Sequence, residues 1–381
     1  MVGKCQSCST SSLAACAAVL LACALDTYAF AQNQQMTRSM KLLLTADVSP
    51  DGAFLATGGE DVRVFDFATG RRLHVLPAPR RVCAVKFSPV EADLIASGGD
   101  DGLVRLWRIG EDAPVRVLAG QTTTVLDISF SPDGRLIAAG GTRYDQGEVA
   151  AGEFRIWNVE TGEEQHAVAF EDHDVRGVAF STDGSLVAFA KNEKDRDGSS
   201  TIEVYDIERW ERRHRIPFEP GFASSIAFQP DGRRLIICGG ECIPVPDSAG
   251  CRTTGRMWLA DLDVEQPATQ LELPELGYFY SVAFTSRGDR FATGTAVLRI
   301  EVDRFGQPRG SSWIGQIQMR RAKDGSVIWS SDGEYGSPID TTISTDGNLI
   351  ICCSGQQVLV FDAKSGERQR AIEVYEDPYL N

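Results

Sequence analysis

From Leu43 onward the chain reads as short apolar runs separated by polar turns, and the same order of runs and turns recurs about every fifty residues. Each copy opens with an alternating strand that ends on an apolar residue. A Ser-Pro-Asp-Gly-like turn follows, then an apolar strand that ends in small residues. A third strand ends in an aromatic residue, often followed by Asp, and a Thr-Gly-like turn leads into a fourth strand. Apolar and polar positions alternate because successive side chains of a strand point to opposite faces of its sheet. The Asp-Gly pairs supply the positive φ that tight turns require. Self-similarity at a fixed period marks a repeat architecture.

Seven copies can be aligned. Copy 1 runs from Leu43 to Leu76, with Ser49-Pro50-Asp51-Gly52 and Phe65-Asp66. Copy 2 carries Phe87-Ser88-Pro89, Gly98-Gly99-Asp100-Asp101-Gly102 and Trp107. Copy 3 carries Phe130-Ser131-Pro132-Asp133-Gly134 and Trp157-Asn158. Copies 4 and 5 carry Phe180-Ser181-Thr182-Asp183-Gly184 with Tyr205-Asp206, and Phe228-Gln229-Pro230-Asp231-Gly232 with Trp258. Copy 6 is the weakest, with Phe284, Gly288 and Asp324-Gly325, and has Arg320-Arg321 where the aromatic and Asp would stand. Copy 7 carries Thr345-Asp346-Gly347 and Phe361-Asp362. One four-stranded sheet cannot bury both its faces, so such units pack on one another around an axis, with the third-strand aromatics wedged between neighbours.

The grammar FSPDG, GGDDG, VRLW resembles the WD40-repeat β-propeller family, over nearly all of the chain after its first forty residues. The fold expected is all-β: a seven-bladed β-propeller of four-stranded antiparallel blades spanning 43–381, each copy able to supply its own four strands, with closure by an edge strand from residues 36–42 or 373–381 as the alternative. The chain departs from the family pattern in one respect. Where WD40 blades often carry His before the first strand, it has Ala78, Gln121, Glu171, Glu219, Glu275 and Glu334. The buried set that joins this His to the turn Asp and the Trp is therefore degenerate, although Asp61 and Asp100 or Asp101 still fit the turn position.

The loops between second and third strands are short in copies 1, 2 and 7 and lengthen in copies 3 to 6. The insertions are Thr142 to Glu148, Asn192 to Ser200, Glu241 to Gly255 and roughly Glu301 to Ser312. In a propeller these loops share one face with the connectors between blades, which carry Phe218, Phe222, Tyr278, Phe279, Tyr280 and Tyr335. Aromatic residues and Arg dominate interface energetics, and binding usually resides on loops held by a rigid scaffold. The expected partner-binding set is Arg143, Tyr144, Lys194, Arg196, Phe222, Tyr278, Phe279, Tyr280, Arg304 and Phe305. The partner expected is a protein, gripped by a non-enzymatic scaffold.

The alternative is a propeller enzyme, a hydrolase or lyase, with its site in the central channel. Such a site needs several carboxylates or histidines converging on the axis. The inner strands Val125–Phe130 and Val175–Phe180 offer only Asp127 and Arg176 as charged residues. His74, His166 and His214 fall on outer strands and His173 on a connector. No nucleophile elbow, phosphate loop or zinc-protease motif is present. Asp195-Arg196-Asp197-Gly198 matches only part of a calcium loop. No catalytic, cofactor or metal residue is assigned.

The net charge of -15 disfavours nucleic acid, whose binding is driven by Lys and Arg displacing counterions. Residues 1–31 read as a secretory signal: Lys4, an apolar stretch from Leu13 to Leu25, then Ala29-Phe30-Ala31. Residues 32–42 form a linker. The expected destination is the periplasm or the extracellular space. Cys16 and Cys23 each follow a lipobox-like run, so a lipid anchor there is one alternative, and the only membrane contact expected. A cytoplasmic protein started at Met36 or Met40 is another. Export would favour a disulfide between Cys242 and Cys251, which flank a Pro- and Gly-containing loop.

Overall fold

In a computed structural model of the chain, the described residues are 42–145, 148–193, 199–244, 251–264, 268–271, 277–302, 308–331 and 338–375. Residues 1–41, the proposed signal and linker, lie outside them. The strands fall into seven antiparallel four-stranded sheets, each built from consecutive segments. Blade 1 comprises β1 (Thr45–Val48), β2 (Phe54–Gly58), β3 (Val62–Asp66) and β4 (Arg72–Leu76). Blade 2 comprises β5 (Val82–Phe87), β6 (Leu94–Gly99), β7 (Val104–Arg108) and β8 (Arg116–Leu118). Blade 3 comprises β9 (Thr124–Phe130), β10 (Leu136–Asp145), β11 (Glu148–Asn158) and β12 (Glu164–Glu171). Blade 4 comprises β13 (His173–Phe180), β14 (Leu186–Glu193), β15 (Ser200–Asp206) and β16 (Glu211–Phe218). Blade 5 comprises β17 (Phe222–Phe228), β18 (Arg234–Pro244), β19 (Cys251–Asp261) and β20 (Ala268–Gln270). Blade 6 comprises β21 (Gly277–Phe284), β22 (Arg290–Val302), β23 (Pro308–Arg321) and β24 (Val327–Ser330). Blade 7 comprises β25 (Pro338–Ile343), β26 (Leu349–Ser354), β27 (Gln357–Asp362) and β28 (Arg368–Glu373). The first strands of successive blades contact one another around a closed ring, β25 meeting β1. The all-β, seven-bladed propeller read from the sequence is the fold observed.

The turn grammar has a direct physical basis. In blade 1 the Ser49 hydroxyl donates to Asp51 (2.6 Å) and accepts from the Phe54 amide, while Asp51 accepts from the Ala53 amide. Gly52 sits at φ 72°, which no Cβ-bearing residue adopts cheaply. The same hydroxyl–carboxylate pair recurs at Ser131–Asp133, Ser181–Asp183 and Ser344–Asp346. The Asp or Asn after the third-strand aromatic closes the next turn: Asp66, Asn158 and Asp362 accept from the amides of Thr69, Thr161 and Ser365.

The aromatics wedge between blades. Trp107 packs with Val62, Val64 and Leu76 of blade 1, and Trp157 with Leu106 and Leu118 of blade 2. Arg320 holds the equivalent register position in blade 6, opposite Phe291. It is buried, lies over the Phe279 ring at 5.2 Å, and donates to Gln318 and to the Gly325 carbonyl. A flat guanidinium thus fills the place of an indole.

Two differences from the sequence reading stand out. The insertions of blades 3, 5 and 6 largely continue the sheet: β10–β11, β18–β19 and β22–β23 are hairpins with strands of 10 to 14 residues. Continuing the ladder pairs backbone groups that a loop would leave to water. His173 opens the inner strand β13 rather than lying in a connector.

Candidate functional site

Along an antiparallel four-stranded blade, the start of the first strand, the second-to-third hairpin and the end of the fourth strand share one edge. The connectors and extended hairpins therefore all emerge on one face of the disc. At the centre of that face opens a cavity of about 660 Å³.

The cavity wall is built by a repeated local defect. In six of the seven inner strands the ladder to the second strand slips by one residue, at Cys83, Leu126, Gly177, Ser224, Tyr280 and Ile339. A bulge puts two consecutive residues on the same side, where regular alternation would send one of them away. Counting back from the apolar residue that ends each strand, the third positions are Thr45, Ala84, Asp127, Gly177, Ser225, Ser281 and Asp340. The fourth positions are Leu44, Cys83, Leu126, Arg176, Ser224, Tyr280 and Ile339. Both sets line the cavity.

The third-position ring also stitches the blades. Thr45 accepts from the Val85 amide, Asp127 from the Val178 amide (2.7 Å) and Asp340 from the Ala46 amide. Each bond joins an inner strand to the next blade. One step lower, Asp47 accepts from the Phe87 amide (2.8 Å).

The axis is more highly charged than the sequence reading held. Asp127 and Arg176 are there, but so are Lys86 and Asp340, with Asp47 just below. The Lys86 ammonium lies 4.0 Å from Asp47. Burial opposes its charge, but Asp47, Asp340 and Asp127 together outweigh burial and raise its pKa. Burial pushes the Asp127 carboxyl up to about 6, against the lowering effect of Lys86. Arg176 is held charged, despite burial, by Asp174 at 2.9 Å, and donates to the Tyr144 hydroxyl at 2.9 Å. Burial, with Asp100 adding to it, pushes the Cys83 thiol up to about 12, so it remains a neutral thiol. Among the described residues no three His, Cys, Asp or Glu side chains are placed to hold a metal ion.

Of the expected binding residues, Arg143, Tyr144, Tyr278 and Tyr280 line the cavity. Tyr278 meets the Ser224 hydroxyl and lies 5.2 Å from the Tyr280 ring. Phe222 is half-buried at the start of β17. Phe279 is not available to a partner: it is 2% exposed and packs with Ile236, Cys238 and Met257 in the seam with blade 5. Alternation along β21 sends it away from the axis while Tyr278 and Tyr280 face the cavity. Phe218 is buried for the same kind of reason, in the blade 4–5 core. Lys194, Arg196, Arg304, Phe305 and Tyr335 lie outside the described residues, as do the side chains of Cys242 and Cys251. In the ladder, Cys242 pairs with Thr253 and Cys251 with Pro244.

Comparison with known proteins agrees with this architecture. Residues 70–108 and 112–147 match the family described as WD domain, G-beta repeat. The first match runs from β4 through β7, so the repeat joins one blade's last strand to three strands of the next. A stretch of 155 residues is 28% identical to the Periodic tryptophan protein 2 homolog of Dictyostelium discoideum, covering 39% of this chain and 16% of that protein. A stretch of 181 residues is 26% identical to Transcription initiation factor TFIID subunit 5 of Caenorhabditis elegans, covering 45% and 25%. The matched segments thus span a quarter or less of either relative. Among solved structures, Kuenenia stuttgartiensis Hydrazine Synthase superposes with a TM-score of 0.69 at 13% identity, over 86% of this chain and 97% of that one. At that identity the likeness is one of fold.

Proposed function

Taking the chain as a WD40 β-propeller, we propose that it is a non-enzymatic interaction module that grips a protein partner on its loop face. One observation carries the reading: extended hairpins of blades 3, 5 and 6 rise on the face where the cavity lined by Arg143, Tyr144, Tyr278 and Tyr280 opens. Tyr and Arg on a rigid frame are the residue types that anchor interfaces at low entropic cost. One relative, a TFIID subunit, is by name a component of an assembly. Lys194, Arg196, Arg304 and Phe305 join the contact surface in this proposal.

Site-specific photo-crosslinking in the native host tests it. A photoreactive residue at Arg143 or Tyr144 should give one discrete protein adduct. The same residue at Arg135 or Ser185, in turns of the opposite face, should give none. Equal adducts from both faces, or none from either, would overturn the reading.

A further inference from the structure

We propose that the cavity wall where blades 3 and 4 meet is the seat for an acidic side chain, so that the partner held on the loop face presents a segment carrying Asp or Glu. This assignment rests on the loop face being an interaction surface and names the chemistry of what it grips.

Arg176 is the centre of the seat. It stands on the inner strand β13, just before the bulge at Gly177, lines the cavity, and has a side chain 27% exposed. Its Nε donates to Asp174 at 2.9 Å, and its Nη2 donates to the Tyr144 hydroxyl at 2.9 Å. Asp174 is buried, and its second oxygen accepts from Asn192 at 2.6 Å, so this carboxylate is itself fixed from behind. Nη1 has no hydrogen-bond partner among the described residues. A guanidinium already oriented by a buried carboxylate and a hydroxyl loses little freedom when it takes an anion.

Arg143 adds a second positive charge. It precedes Tyr144 on β10, lines the same cavity and is exposed. The other cations of the lining each have a carboxylate: Asp100 at 3.1 Å from Arg81, Asp47 at 4.0 Å from Lys86, and Asp174 beside Arg176. Arg143 has none among the described residues. The bond from Arg176 to Tyr144 holds both arginines on one stretch of wall. Guanidinium groups match the two oxygens of a carboxylate. The axial carboxylates do not supply it: Asp127 is engaged by the Val178 amide and Asp340 by Thr45, and neither pairs with Arg143 or Arg176.

A protein segment fits this seat better than a free acid. Tyr278 and Tyr280 line the same cavity with ring centroids 5.2 Å apart, and offer aromatic faces to residues flanking the acidic one. The net charge of -15 repels anions in general, so an acidic segment is favoured only where local cations outweigh it.

Calorimetric titration of the full chain with a capped tetraglutamate peptide tests the assignment. Saturable binding of one peptide per chain is expected. Capped tetraglutamine should show none, and free glutarate should bind at least about tenfold more weakly. Arg143→Gln and Arg176→Gln should each weaken binding by about tenfold or more, and Arg143→Lys, which keeps the charge without the fork, by less. Arg135→Gln, on the opposite face, should leave it unchanged. Arg143 is exposed and pairs with no carboxylate, so its variants keep the test open if Arg176→Gln unfolds; circular dichroism checks each. Absent or non-saturable binding overturns the assignment, as does equal binding of tetraglutamine or glutarate, or folded Arg143→Gln binding like the unmodified chain. A protein adduct from a photoreactive residue at Tyr144, with no tetraglutamate binding, would sink the acidic seat and leave the interaction role standing. Tetraglutamate binding with no adduct would keep the seat and count against the protein partner.

Discussion

At the scale of single residues, the same position can be filled by different chemistry if the geometry is kept. Trp107, Trp157, Phe361 and Arg320 occupy equivalent register positions opposite Ile95, Ile137, Ile350 and Phe291. Arg320 keeps the flat shape but adds donors, which Gln318 and the Gly325 carbonyl accept. Arg320→Ala should therefore cost about 2–4 kcal/mol, from a cavity and two acceptors left without their donor. Arg320→Phe, which restores a flat apolar ring in the seam, should cost clearly less; urea denaturation of both variants decides. Asp127 makes a pH-dependent contribution. Its folded pKa, about 6, lies above the ordinary value of about 4, so the native state binds the proton more tightly than the unfolded chain does. The contribution is most favourable below about pH 4 and declines as pH rises through 6. Asp127→Asn removes it. The variant's denaturation midpoint, measured relative to the unmodified chain, should be higher at pH ~7.5 than at pH ~4.5. An identical difference at both pH values would sink this account.

At the scale of the element, the turns and the strand order were legible because their causes are local. A Ser hydroxyl, an Asp carboxylate and a Gly at positive φ lie within four residues, so the Ser-Pro-Asp-Gly run of blade 1 specifies its own turn. Removing the carboxylate in a sister turn, as in Asp183→Ala, should cost about 1 kcal/mol in a denaturant titration, since the Ser181 hydroxyl and Ser185 amide lose their acceptor. The bulges were not legible. A one-residue slip is a relation between two strands, and nothing in β9 or β21 alone marks Leu126 or Tyr280 as the extra residue. For that reason the charged lining of the axis was underestimated. Asp340 and Lys86 sit in strands whose alternation does not reveal which residues face the centre. Of the residues expected on the loop face, Arg143, Tyr144, Tyr278 and Tyr280 line the cavity, while alternation along β21 turns Phe279 into the seam with blade 5.

At the scale of the molecule, the question is how a ring of seven self-contained blades stays shut. Among the described residues no blade borrows a strand from the other end of the chain, so there the seam between blades 7 and 1 has no covalent overlap within a sheet. Short flanking segments tie it instead. The Leu43 amide donates to the Gly355 carbonyl at 3.0 Å, and Thr45 donates to Asp340 at 2.8 Å. From the other end, Tyr375 accepts from the Glu60 amide, lies under the Arg63 guanidinium at 4.3 Å, and is 3% exposed among Leu43, Phe65 and Val374. Arg63 also donates to the Val374 carbonyl at 2.6 Å. One side chain thus couples packing, a hydrogen bond and a cation–π contact across the closure. Tyr375→Ala should cost about 3–5 kcal/mol by the scale of buried aromatic truncations. The loss should also be local before it is global. Hydrogen exchange should quicken first at the β2–β3 turn around Glu60 and at Gly355–Gln357, while the blade 3–4 seam keeps its protection. Uniform acceleration around the ring would mean that closure is shared among all seams and is not concentrated between blades 7 and 1.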